Sequence, residues 1–311
     1  MTTASTAAGH SRLSTRAALA SVALASVLLI AKAWAAYVTD STAMLGSLAD
    51  TTLDVIASLT TLMGVRIAAQ PADLDHRFGH GKAEALVSLA QVALISVSAV
   101  GILWRAIDRL INRAQTEAMG TGIAVSVLAL VLTFVLLWYQ RQVIARTGSV
   151  AIKTDNVHYK SDLVLNGSVI VALVLDQALH VSGADAVFGI AIALWLAWGA
   201  YRASSEAVQQ LMDREWPEEE RQTFLAATNG YPELRGLHDL RTRKSGTLRF
   251  VQFHVWVPAD WTVQEAHDRL DHVEEQLQQR FPDTEILIHV DPEGQTDRET
   301  LLSSEITEKA Q

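Results

Sequence analysis

The sequence predicts a polytopic α-helical membrane protein of six transmembrane helices, followed by a C-terminal α+β domain of order αββαβ. Three observations carry that prediction. Half of the 311 residues are hydrophobic, and they concentrate between residues 16 and 210 in runs close to the ~20 residues that cross a bilayer as helix. From residue 211 onward the composition turns charged and mixed, as in a soluble domain. There are no cysteines, and the formal net charge is −9. The absent cysteines exclude disulfides and thiolate metal sites, and the negative balance speaks against general nucleic-acid binding.

Six apolar spans are expected at about 16–38, 43–68, 83–107, 118–140, 150–177 and 184–209. They must be helices, because backbone N–H and C=O groups find no partners in lipid outside a helix or a closed barrel. The first span follows Arg12 and Arg16 and runs on past Ala31-Lys32-Ala33 to Trp34 and Tyr37, too long for the apolar core of a cleaved signal. Polar breaks at Thr39–Thr42, Pro71–Gly81, Asn112–Thr116, Arg141–Ser149 and His180–Gly183 separate the spans. Residues 1–11 read as a disordered N-terminus, 12–210 as the membrane domain, 211–292 as the soluble domain and 293–311 as a flexible tail.

Basic residues orient the chain. Arg12, Arg16, Arg66, Arg77, Lys82, Arg141, Arg146 and Lys153 fall on the side of the soluble domain, while the connections at 39–42 and 178–183 hold no Lys or Arg. Both termini are therefore expected in the cytoplasm. The connection after the third span dissents, with Arg105, Arg109 and Arg113.

Beyond Pro217 the pattern changes. Pro217–Thr228 suits a short helix, and Leu237–Arg243 and Leu248–Val257 read as strands around the turn Lys244-Ser245-Gly246. Thr262–Phe281 is helical, with Val263, Ala266, Leu270, Val273 and Leu277 at three- and four-residue steps, and Glu285–Val290 is a last strand.

Three clusters carry the chemistry. The second span contains Asp50 and Asp54, and the fifth contains His158 and Asp162; each pair is spaced i,i+4 and so shares one helix face. A carboxylate at the centre of a membrane helix costs roughly 2.5–3.5 kcal/mol, so three demand a compensating partner. A divalent cation is one, and one imidazole with three carboxylates closes a tetrahedral set for Zn²⁺. Interhelical bonds with Lys153 or Lys160 would be another, and a fifth span that does not cross the membrane, given the two lysines in its first half, would remove the demand. The second cluster, Asp73, His76 and His80, lies in the connection between spans two and three, where a metal site and a solvated loop are equally compatible with the spacing. The third, His238, His254, His267, His289 and Asp291, is scattered through the soluble domain; His289 and Asp291 share a strand face at i,i+2. No His-Glu-x-x-His metalloenzyme motif is present.

At these residues the chain resembles the cation diffusion facilitator family. The matching segments are Ser47–Asp54, Pro71–Glu84, His158–Asp162, Leu211–Arg214, His238–Arg243, His254, His267 and His289–Pro292, extending over residues 12–292. The resemblance implies a homodimeric divalent-cation exporter of the bacterial inner membrane, exchanging Zn²⁺ or Cd²⁺, with Fe²⁺ or Mn²⁺ as further candidates, for protons by alternating access. It is not an enzyme; a membrane metal sensor is the alternative. The resemblance further implies a metallochaperone-like soluble domain, a transport site at Asp50, Asp54, His158 and Asp162, a loop site at Asp73, His76 and His80, and a binuclear cytoplasmic site at His238, His254, His267, His289 and Asp291. Lys82 and Asp213 match a charge interlock at the dimer's inner membrane surface. Val290 departs from the polar residue of similar members, and the tail after Pro292 matches little.

Overall fold

The computed structural model describes residues 3–39, 42–112, 123–179 and 184–294. The expected flexible tail from 295 and the connections at 113–122 and 180–183 lie outside the described residues. Six long helices come first: α1 (Thr3–Thr39), α2 (Thr42–Ala68), α3 (Ala83–Asn112), α4 (Ile123–Thr147), α5 (Val150–Leu179) and α6 (Ala184–Leu211). Then follow α7 (Glu218–Thr228), β1 (His238–Ser245), β2 (Leu248–Val257), α8 (Val263–Arg280) and β3 (Thr284–Pro292).

The expected disordered N-terminus is corrected. Residues 3–11 continue α1, where Ala4, Ala7 and Ala8 favour helix against the weaker Thr, Ser, His and Gly9. Among the described residues, five segments are long and apolar enough to cross a membrane: Gly9–Val38, Ser47–Ala68, Ala83–Asp108, Val127–Thr147 and Val187–Leu211. The sixth expected span is α5. It is equally long, but Lys153, Asp155, His158, Lys160 and Asp162 dilute its apolar character. A helix with that many charges persists at membrane depth by packing its polar face against protein. Indeed α5 packs against α1, α2, α3, α4 and α6.

The centre of that packing is Asp155, fully buried. Its Oδ2 accepts from Ser21 Oγ at 2.6 Å and Gln140 Nε2 at 2.7 Å, and its Oδ1 accepts from Gln91 Nε2 at 3.1 Å and Thr61 Oγ1 at 3.4 Å. These donors come from α1, α4, α3 and α2, so one carboxylate ties five helices. Asn156 Nδ2 donates to Gln140 Oε1 at 3.0 Å, and the Tyr159 hydroxyl bridges Ser21 O at 3.1 Å and Ser58 Oγ at 2.7 Å. A further buried carboxylate, Glu84 at the start of α3, accepts from Ser149 Oγ at 2.7 Å and Val150 N at 3.1 Å. It thus satisfies orphan donors at the N-terminus of α5 and places negative charge at the positive end of that helix.

In the soluble domain β1 and β2 pair antiparallel, β2 and β3 pair parallel, and α8 makes the crossover. Phe224, Leu240, Val251, Phe253, Val255, Leu270 and Leu277 form its core. Helix α8 starts at a capping box of Thr262 and Glu265 and buries Ala266, Leu270, Val273 and Leu277. Val263, expected in that stripe, is 90% exposed because it sits at the first helical position, ahead of the packed turns.

The two parts meet at the inner end of the bundle. Lys82 Nζ donates to Asp213 Oδ2 at 3.0 Å and to Leu211 O at 3.2 Å, capping the last turn of α6, and Arg243 approaches Asp213 Oδ1 at 3.7 Å. The Arg243 guanidinium also lies over the rings of Phe78, at 4.3 Å, and Phe250, at 4.4 Å, which places the α2–α3 connection against the β1–β2 hairpin. Gly81 is required there, because a Cβ would stand 2.2 Å from Ser245 O.

Asp155→Ala should lower stability by about 3 kcal/mol, since the buried amide and hydroxyl donors lose their acceptor. Lys153→Ala, which breaks a half-exposed pair with Glu206, should cost under about 1 kcal/mol. Thermal unfolding of the two purified variants in detergent checks the contrast; equal losses would contradict it.

Candidate metal centres

Helices α2 and α5 run side by side, and the i,i+4 spacing on each brings Asp54, His158 and Asp162 together. One ligand atom from each lies within 4.8 Å of the others. His158 Nε2 stands 3.1 Å from Asp54 Oδ1 and 3.8 Å from Asp162 Oδ2. All three side chains are half-buried. Asp50, one turn along α2 from Asp54, stays outside this group and is exposed. The lysine alternative finds no support: Lys153 pairs with Glu206 on α6, and Lys160 is exposed.

The loop cluster closes as its spacing allows. Asp73 Oδ1 accepts from the backbone N–H of His76 at 2.7 Å and of Asp75 at 3.0 Å, a turn in which the side chain stands in for a backbone acceptor. His76 Nδ1 and His80 Nε2 each lie 3.3 Å from an Asp73 oxygen, and the two imidazoles are 4.4 Å apart. The Asp73 carboxyl is held below the usual carboxylate range, first by the His76 N–H, with the Asp75 N–H and the His80 charge adding to it.

In the soluble domain the register sets His238 opposite His254 and His254 opposite His289, a row across all three strands. Neighbouring β2 side chains Val251, Phe253, Val255 and Val257 point the other way, into the core, so the row lies on the sheet face away from it. Asp291, buried, faces all three: its Oδ2 lies 3.2 Å from His238 Nε2 and 3.0 Å from His254 Nδ1, and its Oδ1 lies 3.5 Å from His289 Nε2. His238 Nδ1 lies 2.7 Å from Gly236 O, an acceptor only, so Nδ1 carries a proton and in the neutral ring Nε2 is a lone pair. That lone pair is buried without a hydrogen-bond donor and faces a carboxylate oxygen. Two acceptors in that arrangement fit a cation between them, with the second imidazole nitrogen fixed by a carbonyl. Gly236 makes the turn that supplies it: φ is +61°, and a Cβ would meet Trp256 at 2.2 Å.

Of the cytoplasmic residues expected from the sequence, His238, His254 and Asp291 form a tight group. His289 joins through Asp291, whereas His267, on the exposed face of α8, stays outside that group. Sequence reasoning missed Lys32, Glu84 and Asp155. Their signal was a charged residue inside or at the edge of an apolar helix, the same signal that marked Asp50 and Asp54.

Two-helix carboxylate–imidazole geometry in a bundle, joined to a histidine-bearing αββαβ domain, defines a metal-handling membrane protein. The chain belongs to the cation efflux family. The family's transmembrane domain matches residues 18–212, and its cytoplasmic domain matches residues 216–293. The cation-efflux pump FieF of Klebsiella pneumoniae subsp. pneumoniae is 43% identical over 284 residues, 91% of this chain and 94% of that one. FieF of Cronobacter sakazakii is likewise 43% identical over 284 residues, with the same 91% and 94% covered. A zinc-form structure of CzrB is 38% identical and covers 28% of this chain and 99% of its own, with a TM-score of 0.25. The chain is thus a cation efflux transporter of the bacterial inner membrane and not an enzyme.

A depressed carboxyl contributes stability that is present above the unfolded pKa and is lost as pH falls through the folded one. The Asp73 turn should therefore stay closed through the ordinary carboxylate range and open only in stronger acid. Carboxyl NMR of the full chain, with Asp73→Asn for assignment, checks this; an ordinary titration would contradict it.

Proposed function

We propose that the protein exports divalent metal, Zn²⁺ or Cd²⁺ first, in exchange for protons, through a membrane site of Asp50, Asp54, His158 and Asp162. The observation that carries this reading is the convergence of Asp54, His158 and Asp162 from two helices, with their ligand atoms within 4.8 Å of one another. Metal ligands bind in their deprotonated forms, so metal entry displaces protons and protons returning from the far side displace metal. Imidazole among carboxylates favours zinc over ions that take only oxygen. Asp50 completes the set when α2 and α5 adjust around the ion.

Homodimerisation follows from the same logic in the soluble domain. The sheet carries helices against its core face, while the histidine row lies on the other. A second copy covering that row would give His267 and His289 a place at a shared pair of ions, alongside His238, His254 and Asp291. Asp73, His76 and His80 supply a separate loop site, and Lys82 with Asp213 fixes the membrane domain to the soluble one. The positive side of the bundle, with both termini, faces the cytoplasm.

Zinc uptake into proteoliposomes holding a pH dye tests the reading. Zinc flux with opposed proton movement is expected in wild type, and both should fall at least about a hundredfold in Asp54→Ala, on the scale of a lost ligand and its supporting shell. Binding without flux in an intact dimer would make the protein a metal sensor. Flux surviving Asp54→Ala would remove the membrane site. In the same assay His158→Asp should shift preference from zinc toward oxygen-loving ions such as Mn²⁺; unchanged preference would count against the imidazole's role.

A further inference from the structure

The membrane span Gly9–Val38 contains one charged residue beyond its first turns, Lys32, and neither the fold nor the ligand set accounts for it. An ammonium at that depth is costly unless a partner compensates it, and it marks a functional site by default. Lys32 is half-buried and does not point away along lipid. Its Nζ donates to Thr51 Oγ1 at 2.6 Å and approaches Ser47 O at 3.5 Å, both on α2. Thr51 is fully buried, directly follows Asp50 and precedes Asp54 by three residues, so it faces α1 from the same turns that carry both carboxylates. Its hydroxyl donates onward to Ser47 O at 3.1 Å, which leaves its oxygen free to accept from the ammonium. The charge of Lys32 also reaches Asp162 on α5.

From this placement we infer that Lys32 is the resident counter-cation of the transport site and sets which ionic charge the site accepts. The inference rests on the four-ligand reading above. Three carboxylates and a neutral imidazole carry −3; a divalent ion brings them to −1, and the fixed ammonium brings the loaded site to neutrality. In a low-dielectric interior net charge is what the bundle tolerates least. A trivalent ion would leave a positive site and a monovalent ion a negative one, so the ammonium makes +2 the matched charge. Lys32 touches no ligand directly; it acts through Thr51 and through space as a specificity-determining residue.

The test compares terbium(III) with zinc on the purified full-length protein. Lys32→Gln keeps a donor for Thr51 and removes the charge, whereas Lys32→Arg keeps the charge. Radioactive zinc bound at the membrane site is taken as the part lost in Asp54→Ala, in each background. Terbium should displace that zinc at about tenfold lower concentration, relative to zinc's own affinity, in Lys32→Gln than in wild type, the scale of one unit charge acting through a medium of effective dielectric near 20. Lys32→Arg should stay within about twofold of wild type. An unchanged terbium-to-zinc ratio in Lys32→Gln, or an equal shift in Lys32→Arg, overturns the inference while leaving the site intact. Wild type without any Asp54-dependent zinc would instead remove the transport site and this inference with it.

Discussion

A single anion, the buried carboxylate of Asp155, is the constraint from which the membrane domain's arrangement follows. It sits on the most polar of the six long helices and takes hydrogen bonds from a hydroxyl on α1, a hydroxyl on α2, an amide on α3 and an amide on α4. Each hydrogen bond to a charged acceptor is worth about 1.5–3 kcal/mol, and each depends on one helix holding a defined rotation and depth. Slide any of the four by one turn and its donor leaves the shell. Apolar packing in a bilayer offers no such discrimination, since lipid tails satisfy an apolar side chain as well as a neighbouring helix does. The hub therefore fixes register, and with it the positions of His158 and Asp162 one and two turns farther along α5.

The other end of α5 is fixed by a second carboxylate. Glu84 holds Ser149 and Val150 at the first turn of the helix. Two residues earlier Lys82 reaches the last carbonyl of α6 and the Asp213 side chain. One short segment at the start of α3 thus grips the helix that carries His158 and Asp162 and the junction to the soluble domain. A shift of the soluble domain at Asp213 has a covalent and hydrogen-bonded route to α5 that is only a few residues long.

Much of this was legible in the sequence, and the omissions have physical causes. Helix number, strand order and the i,i+4 pairs follow from periodicities that local geometry imposes, so α2, α8 and the β1–β2 hairpin fell close to their expected places. The N-terminal stretch did not, because Thr, Ser and Gly near a terminus read alike in a frayed helix and in coil. The tight cytoplasmic group of His238, His254 and Asp291 depends on strand register, which spacing within one strand does not encode. Its cross-strand row appears only once β1, β2 and β3 are paired. His267 shows the converse limit: it belongs to a pattern in sequence and yet stands outside the group that the fold of its own chain brings together. Asp155 and Lys32 were visible as charges in apolar helices, but which of several charges would find donors, and which would face a ligand, is a property of the neighbouring helices.

Asp155 and Asp162 make that last point sharply, because they are the same residue type on one helix, two turns apart. Both oxygens of Asp155 are occupied by N–H and O–H donors at 2.6–3.4 Å, so it has no lone pair directed at open space and its surroundings would repel a metal's positive charge with four partial positive charges. Asp162 and Asp54 instead meet each other across the His158 imidazole, whose Nε2 lies 3.1 Å from Asp54 Oδ1 and 3.8 Å from Asp162 Oδ2. Two carboxylates gathered on one imidazole repel each other unless a cation or protons arrive, and on the proposed reading that demand is what a transport site requires: it must bind strongly enough to load and must release when protons compete. Saturating a carboxylate with neutral donors removes the demand and turns the same side chain into a fixed structural anchor. The sequence of α5 places two uses of aspartate along one helix, the anchor nearer the soluble domain and, on the proposed reading, the metal ligand two turns farther along.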